Sequence, residues 1–189
     1  MDLGWPLDDT VEIDGQKYKL NLAFDNVLRL IDLMNDRRLN NITQIETGLK
    51  MLIGTDLPEY SITDKEKILY QIFRMSIGDD VEKNVPVDLE GNPMPQADEE
   101  PKRYFSLKQD AEYIFAAFVK EYGIDLFEMQ GKLHWKKFKA LLTALLPNCS
   151  FREIVEIRAS ELPSGKGMGK RREQLRKLKQ IYALKEDEP

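Results

Sequence analysis

The sequence has very few of the cysteine and histidine side chains that enzymes and metal proteins commonly use. Its 189 residues include one cysteine and one histidine. A single cysteine excludes an intramolecular disulfide, which favours a reducing compartment. No stretch approaches the roughly 20 consecutive apolar residues that a membrane-spanning helix needs. Residues 1–6 have no basic segment followed by an apolar run, so we expect no signal peptide and a cytoplasmic protein without a membrane partner.

The lone histidine and cysteine do not form a recognisable catalytic or metal-binding pattern. His134 has no cysteine or carboxylate at metal-ligand spacing, and its place beside Trp135 favours packing or surface exposure over a ligand or general-base role. Cys149 could in principle pair with His134, but no orienting group or oxyanion-hole signature accompanies it. A buried or half-buried structural thiol is favoured. The sequence therefore predicts a non-enzymatic protein without cofactor or metal.

The residues that are present suit a soluble globular protein with a highly charged surface. Hydrophobic residues make up 42% and charged residues 32% of the chain. The net charge is −5, and the charges are unevenly distributed. Residues 78–103 contain eight acidic and three basic side chains, whereas residues 164–182 contain one acidic and seven basic. The overall acidity argues against a nucleic-acid coat protein, but it leaves room for a local basic contact.

The N-terminal segment predicts a β-hairpin. Apolar residues alternate with polar ones on both sides of Asp14-Gly15, a strong signal for a two-residue type I′ turn. With that turn, Val11 lies opposite Tyr18, and Glu12 lies opposite Lys17 as an opposite-charge pair.

The rest of the chain shows apolar residues at helical spacing. Three helices are predicted from the apolar spacing alone, over Phe24–Met34, Leu133–Leu146 and about Lys170–Leu184. Four more begin at a capping box: from Thr43 and Glu46 to Gly54, from Thr63 and Glu66 to Gly78, from Ser106 and Gln109 to Gly123, and from Ser150 and Glu153 to a point before Pro163. The fold class is therefore mainly α. We expect a compact multi-helix domain with an N-terminal hairpin and a C-terminal basic helix.

Two segments divide this pattern. Residues 79–103 hold four of the nine prolines and most of the acidic excess, so we interpret them as an exposed loop within a domain of residues 1–163. Asp88, Glu90 and Asn92 alternate there as calcium ligands could, but Pro93 and Pro95 disrupt the frame of an EF-hand, and a solvated loop is favoured. Residues 164–189 are predicted to form a flexible linker followed by the basic helix.

The linker has three alternating glycines, Gly165, Gly167 and Gly169, with Lys166 between the first two. They precede a helix as a phosphate-binding loop does. Their spacing matches neither the Walker A nor the dinucleotide-binding pattern, and the preceding segment is predicted to be helical instead of a strand. A plain hinge is favoured over nucleotide binding.

The terminal basic helix leaves three interpretations open. It could be a solvated helix on its own domain, a helix that docks on an acidic protein groove, or a grip for nucleic-acid phosphates. Nucleic acid is the least favoured, because no aromatic stacking residues interleave with the cations. The candidate partner contacts are Arg171, Arg172, Leu175, Leu178, Lys179 and Tyr182.

Four segments together resemble a known family. They are the hairpin at residues 11–20, residues 113–126 (YIFAAFVKEYGIDL), residues 133–142 (LHWKKFKALL) and residues 177–184 (KLKQIYAL). The chain resembles the "gene product fifteen" family of long-tailed phages and prophages of Gram-positive bacteria, mainly over residues 104–184.

The resemblance implies a tail assembly chaperone that acts in the cytoplasm of the bacterial host and is absent from the mature virion. Its implied partners are the tape-measure protein and the major tail (tube) protein, and we expect a homo-oligomer. The family has no catalytic residues to transfer to this chain. The alternative is a nucleic-acid-binding accessory protein that acts through the C-terminal basic helix.

Overall fold

A computed structural model describes residues 3–78, 103–165 and 167–185. Within these residues the chain forms one hairpin and seven helices, so the predicted mainly α fold is confirmed. The elements are β1 (Thr10–Ile13), β2 (Gln16–Lys19), α1 (Phe24–Asn35), α2 (Asn41–Ile53), α3 (Ile62–Ser76), α4 (Ala111–Tyr122), α5 (Trp135–Thr143), α6 (Ser150–Ala159) and α7 (Gly169–Ile181).

The chain divides into two compact units. The first comprises Met1–Val81 and Phe127–Leu141, and the second comprises Glu82–Leu126 and Leu142–Pro189. The separate arm predicted for residues 164–189 stays a prediction. The predicted acidic loop, including the calcium alternative at Asp88, Glu90 and Asn92, lies outside the described residues except for Arg103, and so does residue 166 of the predicted linker.

The hairpin has the predicted register. Val11 pairs with Tyr18 and Glu12 pairs with Lys17 in an antiparallel ladder. Asp14 and Gly15 have φ of 47° and 81°, as a type I′ turn requires. Thus the turn residues and the alternation of polar and apolar side chains specified the same pairing.

The first unit is built on α1, α2 and α3, which pack against one another in sequence. Val27, Leu30, Leu49 and Leu52 are completely buried between them. Gly48 allows this close packing, because a Cβ at that position would lie 3.2 Å from side-chain carbons of Leu30 and Leu69.

Residues 127–141 complete the first unit from a distant part of the sequence. Residues 22–24 pair with residues 133–135 as a short antiparallel bridge, in which the Trp135 amide donates to the Leu22 carbonyl at 2.7 Å. The buried Trp135 indole donates to the Ile77 carbonyl at 3.2 Å. Phe138 stacks on Phe24 with ring centroids 5.0 Å apart. These contacts place the aromatic side chains of α5 in the core of the first unit.

The second unit is organised around α6, which contacts α4 and α7. Its apolar core includes Ile114 and Phe118 of α4, and Phe151 and Ile154 of α6. α7 has no buried residue, so it lies on the surface of the unit.

Helix ends were predicted unevenly. Gly54 and Gly123 end α2 and α4 in the left-handed conformation, as expected. The predicted starts at Thr43 and Thr63 were wrong, because the side chains of Asn40 and Ser61 accept hydrogen bonds from the amides of residues 43 and 64. The caps therefore lie three and two residues before the predicted ones.

The other boundaries shift in both directions along the chain. The Ser106 hydroxyl does accept a hydrogen bond from the Gln109 amide, but the α-helix begins only at Ala111. Ser150 is the first helical residue of α6 instead of its cap, which is Cys149. The helices α5 and α7 each end three residues before the predicted position, and α5 begins two residues after it.

Candidate partner-binding surfaces

His134 has both ring nitrogens engaged within the first unit. Its Nε2 lies 2.8 Å from an Asp9 carboxylate oxygen, and its Nδ1 accepts a hydrogen bond from the Lys136 amide at 2.9 Å. Because Nδ1 accepts, Nε2 carries the proton and donates to Asp9. The imidazole therefore ties the segment before the hairpin to the start of α5. This is the packing role that the sequence favoured.

Cys149, the other residue considered for catalysis, is buried. Cys149 is 2% exposed, as expected for a structural thiol. Among the residues that the structure describes, no three His, Cys, Asp or Glu side chains come together as a metal site would require. No helix in the described part is long and apolar enough to cross a membrane.

The basic helix α7 presents two different faces. Arg172, Leu175, Lys179 and Tyr182 are half-buried and recur at the spacing of one helix face, which we call the inner face. Arg171, Gln174, Leu178 and Ile181 are exposed and recur at the same spacing, and we call this the outer face. The six candidate contacts are therefore split, with four on the inner face and two on the outer.

Polar contacts hold the inner face against its own unit. Arg172 Nε donates to the Pro163 carbonyl at 2.9 Å, and Lys179 Nζ donates to the Arg158 carbonyl at 2.8 Å. The Tyr182 carbonyl accepts a hydrogen bond of 2.6 Å from Arg158 Nε. These side chains anchor α7, so its outer face is the part that is open to a partner.

The outer face combines cations with apolar side chains. Leu178 is 37% exposed and Ile181 is 71% exposed. Lys170, Arg171 and Lys177 flank them, and Lys177 pairs with Glu173 on the helix surface. Isolated surface pairs of this kind contribute only about 0.3–0.5 kcal/mol, so the cations stay available to a partner.

A groove in the first unit lies between β1 and α3. Its volume is about 590 Å³, within the range of ligand-binding clefts. Val11 and Ile13 of β1 and Ile68, Ile72 and Met75 of α3 supply its apolar lining. Met75 is 76% exposed although it is apolar.

The polar rim of this β1–α3 groove is acidic. Glu12, Asp14 and Asp64 line the groove together with one lysine, Lys67, which lies 3.4 Å from Asp64, and Lys17 lies opposite Glu12 across the hairpin. Hydrogen bonds from Ser61 and Lys67 lower the pKa of Asp64, so that it is ionised at neutral pH. The Tyr60 hydroxyl donates to Asp14 at 2.6 Å, and this bond to the carboxylate raises the pKa of Tyr60 to about 12.

The backbone of β1 adds an open edge to the groove. Leu20 donates to the Asp9 carbonyl, so the alternation of an antiparallel ladder directs the amide and carbonyl of Glu12 away from β2. Neither group has a hydrogen-bond partner within the described part of the chain. The sequence does not predict this groove, because its two walls are about 50 residues apart along the chain and no local motif indicates that they pack together.

These features define a protein of mainly helical fold with an open acidic groove and an exposed basic helix. The chain belongs to the bacteriophage Gp15 protein family, whose model matches residues 6–184. No curated protein and no solved structure matches significantly. The family predicted from the four segments is therefore confirmed over nearly the whole chain.

Proposed function

We propose that the protein is a non-enzymatic tail assembly chaperone that binds the tape-measure protein and assists tail-tube assembly. The observation that carries this proposal is the family match over residues 6–184, which identifies a phage protein. The proposed site of action is the cytoplasm of the bacterial host, before a virion is complete. The tape-measure protein and the major tail protein are the proposed partners.

The physical demand on such a chaperone is to cover apolar helical stripes. A long helical rod with exposed apolar residues aggregates until another surface covers them. A helical protein covers them by packing its own exposed apolar side chains against the stripe. Because one 22.0 kDa chain is far smaller than a long rod, several copies must act together.

The first unit offers such side chains where α1 turns into α2. Met34, Leu39 and Ile42 are 36%, 37% and 54% exposed at this turn. Gln44 fixes the turn, because its amide nitrogen donates to the carbonyls of Leu33 and Asp36 at 3.0 Å and 2.9 Å. The α1–α2 corner, defined as Met34, Leu39 and Ile42, is therefore an apolar surface on a well-supported backbone.

Co-expression with the tape-measure protein tests the proposal. We expect the long protein to stay soluble with this chain and to aggregate without it. The variant Leu39→Ser/Ile42→Ser should lose the effect, whereas the control Leu146→Ser/Leu162→Ser, which removes exposed side chains of the same type elsewhere, should keep it. Unchanged aggregation with the natural chain would refute the chaperone role.

A second candidate is nucleic-acid binding through α7. It is favoured by one observation, the exposure of Lys170, Arg171, Arg176 and Lys177 along a helix with only one acidic residue. Phosphate contacts weaken steeply with rising salt, so binding should fall in proportion to the number of cations involved. Truncation before Ser164 should abolish it. Absence of DNA or RNA binding at low salt would eliminate this candidate.

A further inference from the structure

The β1–α3 groove has the properties of a protein docking site. Its floor is apolar, its rim carries three carboxylates and one ammonium group, and it is open to solvent. The exposed Met75 and the half-buried Val11 and Ile68 would gain contacts from a partner that brought apolar side chains. The acidic rim selects a partner that brings cations as well.

The same chain carries a surface with the complementary properties. The outer face of α7 presents Leu178 and Ile181 between the cations Lys170, Arg171 and Lys177. Among the helices that the structure describes, α7 has the largest excess of basic over acidic residues. An amphipathic helix that lays its apolar side chains into a groove is a common mode of recognition.

We propose that the β1–α3 groove of one copy receives the outer face of α7 from a second copy. Leu178 and Ile181 pack on the apolar floor, and the flanking cations lie against Glu12 and Asp64. The contact is heterologous, since groove and helix are different surfaces, so a pair of copies joined in this way keeps one free groove, on one copy, and one free helix, on the other. Such contacts generate rings if the rotation closes and open chains if it does not.

The inference deepens the homo-oligomer expected under the proposed function but does not depend on a tape-measure protein. Its test uses the full chain alone, so failure of one proposal leaves the other standing. In sedimentation velocity, the average mass should rise above 22.0 kDa with increasing protein concentration. It should fall between about 0.1 M and about 1 M salt, because the Debye length shrinks from about 10 Å to about 3 Å.

Two variants address the two sides of the contact. Glu12→Lys/Gln71→Lys changes exposed groove side chains, and Leu178→Ser/Ile181→Ser removes the apolar residues of the outer face. Each should weaken self-association at least about tenfold. Glu66→Lys/Gln16→Lys, with the same charge change on exposed residues outside the groove, and Leu146→Ser/Leu162→Ser are the matched controls and should associate normally. Far-ultraviolet circular dichroism verifies that every variant is folded.

Mixing the two variants distinguishes this contact from a symmetric one. The groove variant retains a natural α7 and the helix variant retains a natural groove, so their equimolar mixture should form dimers and stop there. A natural chain that stays monomeric at low salt would overturn the proposal. Equal losses in the variants and their controls, or a mixture that does not associate, would overturn it as well.

Cross-linking provides a measurement that does not weaken the contact. Gln71→Cys places a thiol at the groove, and Gln174→Cys places one on the outer face, while the natural Cys149 is buried. Oxidation of the mixed variants should give a disulfide-linked dimer that neither variant gives alone. A cross-link within the Gln71→Cys variant alone would instead indicate a symmetric contact and contradict the proposal.

Discussion

The cores of the two units differ in the charge that they bury. In the first unit, the buried cation Lys65 lies 2.9 Å from Glu46, whose side chain is 38% exposed, so the pair reaches solvent. In the second unit, Arg158 and Asp110 pair with side-chain exposures of 10% and 1%. The two contacts between them are 2.7 Å and 2.8 Å long and form a bidentate pair.

The difference shows how the second unit holds a helix that it does not bury. Arg158 donates to the carbonyls of Tyr104 and Tyr182, and Asp110 accepts from the Ser106 amide. One ion pair therefore connects the segment before α4, the end of α6 and the end of α7. The first unit joins its helices mainly by apolar contacts, with the ion pair of Glu46 and Lys65 between α2 and α3, whereas the second fixes α7 through carbonyl groups. This leaves the outer face of α7 open.

The largest effect should follow from breaking the buried pair. Asp110→Ala leaves Arg158 without its counter-charge, and such a loss costs about 3–5 kcal/mol in the free energy of unfolding. Urea unfolding followed by circular dichroism measures it. Glu112→Ala, an exposed carboxylate at the start of the same helix, should cost about 1 kcal/mol or less. Similar losses in the two variants would show that the pair does not hold the second unit together.

Leu49→Ala should have the next largest effect and should act on the first unit. Leu49 is completely buried, and removal of its side chain costs about 2–5 kcal/mol through lost apolar contacts and the cavity that remains. The fluorescence of Trp135, which lies in that unit, reports the unfolding. Ile42→Ala, at an exposed position of the same helix, should change stability by about 0.5 kcal/mol or less.

The start of α2 provides a smaller and local test. Asn40→Ala removes the oxygen that accepts the amide of Thr43 at 2.8 Å, which should cost about 1 kcal/mol. Thr43→Ala, at the position that the capping-box pattern favoured, should cost less. Urea unfolding of the two variants compares their losses in the free energy of unfolding. A larger loss for Thr43→Ala than for Asn40→Ala would instead support Thr43 as the cap.

The smallest effect concerns the hydrogen bond between Tyr60, which precedes α3, and Asp14 in the turn of the hairpin. The Tyr60 hydroxyl should stay protonated to about pH 12, compared with 10.0 for an ordinary tyrosine. Because the folded pKa lies above the unfolded one, this bond stabilises fully below pH 10.0 and loses its contribution as pH rises to about 12. Absorbance titration, with Tyr60→Phe for subtraction, measures it. Asp14→Asn keeps a turn-forming residue and should bring the Tyr60 pKa back toward its ordinary value.

Local signals predicted much of this fold. The hairpin register followed from Asp14-Gly15, and the left-handed helix ends followed from Gly54 and Gly123. The predicted starts of α2 and α3 were wrong because two candidate capping residues lie near the start of each helix. Asn40 competed with Thr43, and the sequence pattern does not show which side chain reaches an amide.

The candidate surfaces could be predicted only in part. The sequence indicated α7 as a candidate contact helix, but it could not show that Arg172 and Lys179 are engaged within the second unit. Nor could it pair Arg158 with Asp110, 48 residues away. These features depend on tertiary packing, and a helical pattern shows which side chains share a face without showing which face packs inward.

The short bridge between residues 22–24 and 133–135 means that the first unit can be completed only late in the synthesis of the chain. The first unit lacks Trp135 and Phe138 until the ribosome has passed α5. At about 5–20 residues per second, the interval between synthesis of Ile77 and Trp135 is roughly 3–12 s. During that time Phe24 of α1 and Ile77, directly after α3, lack the aromatic side chains that later contact them. The nascent chain is therefore itself open to aggregation until its own later residues arrive.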